Sequence, residues 1–370
     1  MLIRPFEPDD IAQVASLWQY WFRGGGPAPA AGLEAYVKRM YFERPDSDPD
    51  VSSLVADDGR GKVLGFLGIT TTPVLIDGTS QTMAGLFPPV LDPDASTTVA
   101  SHLLRRFLGG PQAITCSDGG HIRYERIWEL LGGCIAPLAS LRWVKVLRPS
   151  RLGAERLLER GPTWNRLGNV LRPLAGGGDW LARRAGTVWL RAGEAAYSGE
   201  VLTPAGFIEA LEHVHPRSRL RPLYSERYLA WQFAEMAKIT EQGSFEATLV
   251  RAPDGGIAGW WIGYVNPGGV SRVFALDGFD RHMEGVVQHL FARADAAGVG
   301  ALMGRLEPRL RRSMARSGTL VYNGGSLKMV HTKTDARLLD DAILGRLAFS
   351  RLEGENWYWW GIVSRSIPVT

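Results

Sequence analysis

The sequence predicts an α+β protein with two domains, each a mixed, mostly antiparallel twisted sheet flanked by helices, joined by a helical segment. Its 370 residues are enough for two or three domains of ordinary size. Short strand-like runs closed by Asp-Gly turns alternate with amphipathic helices in the first part of the chain. The same order of elements returns near the end. We therefore expect a first domain at 1–149, a helical connection at 150–240 and a second domain at 241–370.

The first half of the N-terminal domain begins with a strand and two helices, which a three-strand meander follows. Asp9 or Asp10 caps the first helix, whose apolar residues fall on one face. The Asp77-Gly78 turn between two apolar runs is a typical hairpin signal. The predicted elements are a strand at 2–5, helices at 11–22 and 33–42, and strands at 51–56, 62–75 and 81–91.

The second half of this domain alternates helices and strands. Asp118-Gly119-Gly120 is typical of a loop, and Gly132-Gly133 is a typical helix stop. The predicted elements are a helix at 97–108, a strand at 112–117, a helix at 121–131 and a long strand region at 134–147.

The rest of the chain contains the helical connection and a second copy of this pattern. The segments ADDGRGKVLGFLG at 56–68 and APDGGIAGWWIG at 252–263 resemble each other, which indicates an internal duplication. The aromatic residues Trp357, Trp359 and Trp360 suggest a last strand that faces the core. The predicted helices are at 154–171, 204–213, 224–237, 282–297 and 310–316, and the predicted strands at 245–251, 257–265, 270–276, 301–306 and from 319 onward.

Composition excludes several classes of protein. The net charge of +4, from 42 basic and 38 acidic residues, is too small to predict a nucleic-acid surface. Cys116 and Cys134 form no Cys-x-x-Cys pattern, and His213 and His215 have no carboxylate or cysteine at ligand spacing, so we expect no metal site. The N-terminus has no signal pattern, and no run of about 18 apolar residues occurs. We expect buried free thiols in a cytoplasmic protein without a membrane span.

Four stretches of the N-terminal domain resemble the GNAT superfamily of N-acyltransferases. They are Ile3-Arg4-Pro5 followed by Asp9-Asp10, Gly65-Phe66-Leu67-Gly68, Leu91-Asp92-Pro93-Asp94 followed by Ser101-His102-Leu103-Leu104-Arg105, and Glu129-Leu130-Leu131-Gly132-Gly133. The resemblance covers residues 1–149 and, more weakly, 240–360. YLAWQF at 228–233 and FSRLEGE at 349–355 also resemble pieces of bacterial proteins with two GNAT domains.

The resemblance implies a coenzyme site in the stretch 83–106. The pantetheine arm of acetyl-CoA or another acyl-CoA would lie beside the strand end at Phe87, Pro88 and Val90. A helix start binds phosphate through its free backbone N–H groups, and here the pyrophosphate donors would be those of Ser96, Thr97, Thr98, Val99 and Ala100. The chain departs from the family because this loop has no glycine, and Trp128 stands where the family often has a tyrosine. In the second copy, Asp277-Gly278-Phe279-Asp280-Arg281 has no phosphate-loop signature.

Three side chains near the predicted loop are candidates for proton transfer. His121 is the first, because an imidazole has an unperturbed pKa of about 6.5, near working pH. Asp118 and Tyr124 follow. Each has an ordinary structural alternative: a histidine at a helix start with no further role, an aspartate that caps a helix, and a tyrosine that packs.

The resemblance to the GNAT superfamily implies an acyl-CoA-dependent N-acyltransferase. The resemblance implies that acetyl-CoA or another acyl-CoA is the cosubstrate and that the acceptor is a small-molecule amine or an amino sugar. The second domain would be degenerate. Two alternatives stay open: a non-catalytic GNAT-like pair that binds a ligand or partner, and an aminoacyl transferase similar to the Fem family, against which the lack of a basic patch argues. The sequence does not give the oligomeric state.

Overall fold

The structure is a computed structural model that describes residues 1–25, 32–149, 196–216, 218–348 and 350–363. The strands are β1 Leu2–Pro5, β2 Leu54–Asp57, β3 Val63–Leu67, β4 Ile69–Ile76, β5 Thr79–Leu86, β6 Val90–Leu91, β7 Ile114–His121, β8 Gly133–Ile135, β9 Leu141–Val146, β10 Ser198–Val201, β11 Leu220–Pro222, β12 Ser244–Arg251, β13 Ile257–Val265, β14 Val270–Gly278, β15 Ala301–Arg305, β16 Leu320–Asn323 and β17 Ser326–Thr332.

The helices lie close to the predicted places in most of the described chain. They are α1 Ile11–Phe22, α2 Leu33–Tyr41, α3 Thr98–Leu108, α4 Ile122–Leu130, α5 Pro137–Ser140, α6 Pro204–Val214, α7 Glu226–Ala237, α8 Met283–Ala296, α9 Arg311–Arg316, α10 Ala336–Ile343 and α11 Asn356–Val363. The predicted helix at 154–171 lies outside the described residues.

The chain forms two compact units, and each is assembled from separate segments. The first contains Met1–Ser140, His215–Glu241 and Gly325–Thr370, and the second contains Leu141–Val214 and Gln242–Gly324. These boundaries differ from the expected ones at 149 and 240. The reason is strand pairing: β9 joins β15 and β16 in the second unit, and β17 joins β7 and β8 in the first.

The first unit contains two sheets. An antiparallel sheet has the order β1-β2-β3-β6, and a six-stranded sheet has the order β11-β4-β5-β7-β17-β8. Among the described strands of the larger sheet, only β5 and β7 pair in parallel. The predicted strands at 62–75 and 81–91 are each interrupted, the first at Gly68 and the second at 87–89, where Pro88 and Pro89 lack the N–H that a ladder needs. The prediction of mixed, mostly antiparallel sheets flanked by helices is confirmed.

Helices cover both faces of the strand β5. Ala84 and Leu86 belong to one core cluster with side chains of α3 and α4. Phe87 turns the other way, with its ring 5.6 Å from that of Trp18 on α1 and 6.0 Å from that of Tyr358 on α11. Since successive side chains of a strand point to opposite faces, α3 and α11 approach β5 from opposite sides.

Three local predictions are wrong. Asp118 lies within β7 and not in a loop, because the strand continues through both glycines to His121 while it pairs with β17. The region 134–147 is β8, the short helix α5 that begins at Pro137, and β9. Trp357 belongs to the helix α11, not to a strand. That helix buries Trp357, Tyr358, Gly361 and Ile362, a helical spacing that the unbroken apolar run concealed.

The second unit repeats the plan with one sheet in the order β10-β12-β13-β14-β15-β9-β16. Its one parallel pair among the described strands is β14 with β15. The helix α8 buries Val286, Leu290 and Phe291 in a core that also contains Trp143 and Trp261. The order of strands and helix around the parallel pair is therefore the same as in the first unit.

Candidate functional site

Two parallel strands of the first unit cease to pair in the middle of the sheet. Met83–Gly85 of β5 pair with Ile114–Cys116 of β7, and no pair follows in the described residues. Beyond this point the chain of β5 enters Phe87-Pro88-Pro89, and β6 pairs with β3. The opening between Phe87–Val90 and Ser117–His121 is called the wedge below. It presents the backbone of one edge of β7 without a neighbouring strand.

The start of α3 lies next to the wedge, and the predicted phosphate donors are at this helix start. Ser96, Thr97 and Thr98 are exposed, whereas Val99 and Ala100 are buried. The Thr98 N–H donates to Ser96 Oγ at 3.3 Å, and the Val99 N–H donates to the Ser96 carbonyl at 3.0 Å. A phosphate there would compete with two local hydrogen bonds, which is the physical cost of a loop without glycine.

A carboxylate from the C-terminal segment lies in the wedge. Glu355 Oε1 accepts hydrogen bonds from Ser117 Oγ at 2.9 Å, from the Asp118 N–H at 2.8 Å and from the Gly119 N–H. Glu355 Oε2 is buried and has no hydrogen-bond partner among the described residues. Burial, together with the negative charge of Asp118, raises the pKa of Glu355 from 4.5 to about 7.

The segment before α11, which contains Glu353 and Glu355, makes close backbone contacts with β5. A Cβ on Gly85 would lie 2.7 Å from the Glu353 carbonyl oxygen, so only glycine leaves room for this segment. The carboxylate of Glu353 is held elsewhere, by the Tyr224 hydroxyl and by the Ser350 N–H at 2.7 Å. Pro88 Cγ lies 3.6 Å from the place that a Cβ on Gly119 would take. The proline ring and the Glu355 carboxylate therefore occupy the narrow part of the wedge.

Asp118 forms a buried ion pair. Its Oδ1 lies 2.7 Å from Nζ of Lys328 on β17, and both side chains are only 1% exposed. The alternative in which Asp118 caps a helix is wrong, because the residue lies inside β7. The acidic side of the wedge thus contains two carboxylates and one ammonium group, and Lys328 opposes the rise in the pKa of Glu355.

The other two candidates for proton transfer lie further along the chain. His121 is the last residue of β7 and is paired with Ser326 of β17. Tyr124 is half-buried on α4 and packs against the core cluster beneath α3. Trp128 is buried, and its Nε1 donates to the Val330 carbonyl at 2.9 Å. The indole of Trp128 therefore connects α4 to β17 by a hydrogen bond.

The corresponding place in the second unit is filled by an arginine. Arg309 lies 2.9 Å from Asp277 and 2.8 Å from Asp280, and it donates to the Gly278 carbonyl at 2.9 Å. These groups come directly before α8. The carboxylates before this helix therefore have their own cation within the unit.

Sequence reasoning missed Glu355 and Lys328 as parts of this site. The only sequence signal was the pair of acidic residues in FSRLEGE at 349–355, beside a strongly apolar run. Buried acidic residues are rare unless they are paired, but burial at this position depends on contacts more than two hundred residues away in sequence. Among the residues that the structure describes, no group of three His, Cys, Asp or Glu side chains could hold a metal ion.

The raised pKa of Glu355 predicts a stability that depends on pH. Between pH 4.5 and about 7 the folded protein binds a proton that the unfolded chain releases, so the free energy of unfolding falls as pH rises through this window. The expected change is about 3 kcal/mol. Urea unfolding of the wild type and of Glu355→Gln from pH 4.5 to 8 checks this. Relative to Glu355→Gln, the wild type should lose this amount of stability between pH 4.5 and 7 and then show a constant difference at higher pH, and a difference that does not vary with pH would contradict it.

Several solved structures have a fold similar to that of this chain. The chain is similar to a conserved protein from Enterococcus faecalis described as a probable N-acyltransferase, with a TM-score of 0.55, 10% identity and coverage of 90% of this chain and 72% of that one. It is similar to N-myristoyltransferase from Saccharomyces cerevisiae, solved with bound myristoyl-CoA and inhibitors (TM-score 0.53, 10% identity, coverage 89% and 79%). It is also similar to a GCN5-related N-acetyltransferase from Kribbella flavida (TM-score 0.52, 16% identity, coverage 94% and 73%).

These likenesses show that the chain has the fold of GNAT-type acyltransferases, and the predicted resemblance is confirmed at this level. No protein-family model matches the sequence, and no curated protein matches it. In the described part of the chain, no helix has both the length and the apolar character needed to cross a membrane.

Proposed function

We propose that this chain, which has the fold of GNAT-type acyltransferases, is an acyl-CoA-dependent N-acyltransferase that uses the wedge of its first unit. The single observation that carries the proposal is the separation of β5 and β7 beside the start of α3. A separated parallel pair presents backbone to an extended ligand, and a helix start attracts the phosphate groups of the same ligand. A coenzyme with a pantetheine arm and a pyrophosphate has both parts.

The predicted binding residues fit this proposal in their positions. Phe87, Pro88 and Val90 border the wedge on one side, and Ser96 and Thr97 lead into α3, whose first turn contains the stretch 98–100. Pro88 has no N–H, so on this side the pantetheine amides would rely on backbone carbonyls and on Val90. In the second unit Arg309 pairs with Asp277 and donates to the Gly278 carbonyl before α8, which favours one coenzyme site for each chain.

The acceptor in this proposal is a small-molecule amine or an amino sugar, and acetyl-CoA or another acyl-CoA is the donor. The amine attacks the thioester directly, without an acyl-enzyme intermediate on Cys116 or on Ser117, whose hydroxyl donates to Glu355. Cys116 is buried, and burial raises the pKa of its thiol to about 12, which disfavours the thiolate. Of the predicted proton-transfer groups, Asp118 is neutralised by Lys328, while His121 and Tyr124 stay as proposals.

A non-catalytic ligand-binding protein is the second candidate function. It is favoured by the Pro88 ring and the Glu355 carboxylate, which fill the narrow part of the wedge. The two functions differ in one outcome: a non-catalytic protein binds its ligand without releasing free thiol from an acyl-CoA in the presence of amines. A Fem-like transferase would instead require aminoacyl-tRNA as the donor.

A carboxylate placed at the start of α3 tests the coenzyme site. Ser96→Asp is expected to weaken acetyl-CoA binding at least tenfold, because the new charge lies at the proposed pyrophosphate position. Ser96 is exposed, so the fold should be unaffected. Calorimetric titration measures the dissociation constant, and Ser80→Asp, at an exposed serine in β5, is the matched control. Equal weakening by both substitutions, or no binding to the wild type, would reject the proposal.

A further inference from the structure

We propose that Glu355 is the general base of the transfer reaction, and that its free oxygen Oε2 takes the proton from the acceptor amine. This inference rests on the proposed function, and it assigns the catalytic group to the C-terminal segment instead of the stretch 118–124. General acid–base catalysis needs a group within hydrogen-bond reach of the reacting nitrogen. The wedge contains two carboxylates, and Asp118 is ion-paired with Lys328, so Glu355 is the one that we assign as the base.

The proposed acyl-CoA site and the Glu355 carboxylate approach β5 from opposite faces of the sheet. The proposed coenzyme site begins at α3, which packs on the face of β5 that bears Ala84 and Leu86. Glu353 and Glu355 approach from the opposite face, where the Glu353 carbonyl contacts Gly85 and α11 begins. A thioester that enters from the α3 side and a carboxylate that enters from the α11 side leave the acceptor nitrogen between them.

The hydrogen bonds of Glu355 fix one oxygen and leave the other for chemistry. Oε1 accepts from Ser117 Oγ and from the N–H groups of Asp118 and Gly119, so the carboxylate has a defined orientation. Oε2 is buried and has no hydrogen-bond partner within the described residues. A buried acceptor without a donor is unfavourable, and the N–H of an acceptor amine would satisfy it.

Charges and hydroxyls from four elements surround this carboxylate. Asp118 on β7 disfavours its ionised form, and Lys328 on β17 favours it. Tyr41 on α2 and Tyr358 on α11 are buried, which raises the pKa of each phenol well above its usual range. Both phenols therefore remain neutral at working pH. The pKa of Glu355 is therefore about 7, close to the pH at which a general base for an amine works.

The step balances with the groups named. The amine nitrogen attacks the thioester carbonyl carbon, the C–N bond forms, and the proton of the nitrogen passes to Oε2. The C–S bond then breaks and its electron pair leaves on sulfur. The proton passes from Oε2 to the thiolate, so that free coenzyme leaves and Glu355 returns to its carboxylate form.

The test compares Glu355→Gln with the wild type in binding and in turnover. Glutamine keeps an oxygen that accepts the three hydrogen bonds, so acetyl-CoA affinity should change less than twofold by calorimetry. Turnover, measured as thiol release with a panel of amines, should fall by about 10²–10⁴-fold. In the wild type, kcat/KM should rise with pH through about 7, which is the pKa of Glu355, and this limb should be lost in Glu355→Gln.

Two further variants keep the test decisive. Glu355→Asp retains a carboxylate on a shorter side chain, and it should recover part of the turnover together with a pH-dependent limb. Glu353→Gln alters a buried carboxylate of the same segment that accepts hydrogen bonds from Tyr224 and Ser350, so it should keep the wild-type pH profile. Turnover of Glu355→Gln within threefold of the wild type, or above it, would overturn the assignment of Glu355 as the base. The carboxylate would then only occupy the narrow part of the wedge. Absence of acetyl-CoA binding to the wild type would instead reject the proposed function.

Discussion

Replacement of Lys328 by methionine is expected to destabilise the protein by about 3–5 kcal/mol, because it leaves the Asp118 carboxylate buried without its cation. Nζ of Lys328 lies 2.7 Å from Asp118, and both side chains are 1% exposed. The substitution also removes the charge that opposes protonation of Glu355. Urea unfolding at pH 7.5, where Glu355 is ionised in the wild type, measures the full effect.

Two variants separate the ion pair from general packing effects. Lys333→Met removes an exposed lysine that follows β17 and donates to the carbonyls of Gly109 and Gly110, and it should cost less than about 1 kcal/mol. The double variant Asp118→Asn/Lys328→Met should regain part of the lost stability, because the uncompensated charge is gone. A loss below 1 kcal/mol for Lys328→Met alone would show that the ion pair is not the buried contact described here.

Replacement of Phe87 by alanine is expected to cost about 3–5 kcal/mol, through lost burial and the cavity that remains. Phe87 is fully buried where β5 ends, and its ring lies within 6.0 Å of those of Trp18, Phe22, Tyr358 and Trp359. It therefore joins α1 and α11 to the border of the wedge. Denaturant unfolding gives the loss of stability directly.

The matched control for this substitution is Phe42→Ala. Phe42 is 38% exposed and packs against Phe6 with ring centroids 5.0 Å apart, so its removal should cost about 1 kcal/mol or less. Similar losses for the two variants would contradict the assignment of Phe87 as the centre of the aromatic cluster.

Local patterns were sufficient where an element is defined by its own residues. The helix α1 has the predicted bounds 11–22, because one apolar face and an acidic start specify it. The hairpin at Asp77-Gly78 also formed as the turn chemistry required, with Asp77 at φ 48° and Gly78 at φ 81°. These features depend on neighbours within a few residues in sequence.

The missed features depend on contacts between distant parts of the chain. No local signal indicates that β17 pairs with β7, or that β9 pairs with β15 and β16, since each strand would be as regular with another partner. The pairing of β17 with β7 brings Lys328 next to Asp118, and both charges act on the pKa of Glu355. The proposed role of Glu355 therefore depends on a strand pairing that the sequence does not indicate. The glycines at 119 and 120 suggested a loop, although in the sheet they give space to the Glu355 carboxylate and to Met329.

An electron-density map of crystals grown with acetyl-CoA tests the proposed coenzyme site most directly. We expect the pyrophosphate at the start of α3, the pantetheine between Phe87–Val90 and Ser117–His121, and the thioester next to Glu355. Density for the coenzyme at the start of α8, or none in either unit at millimolar acetyl-CoA, would contradict this expectation.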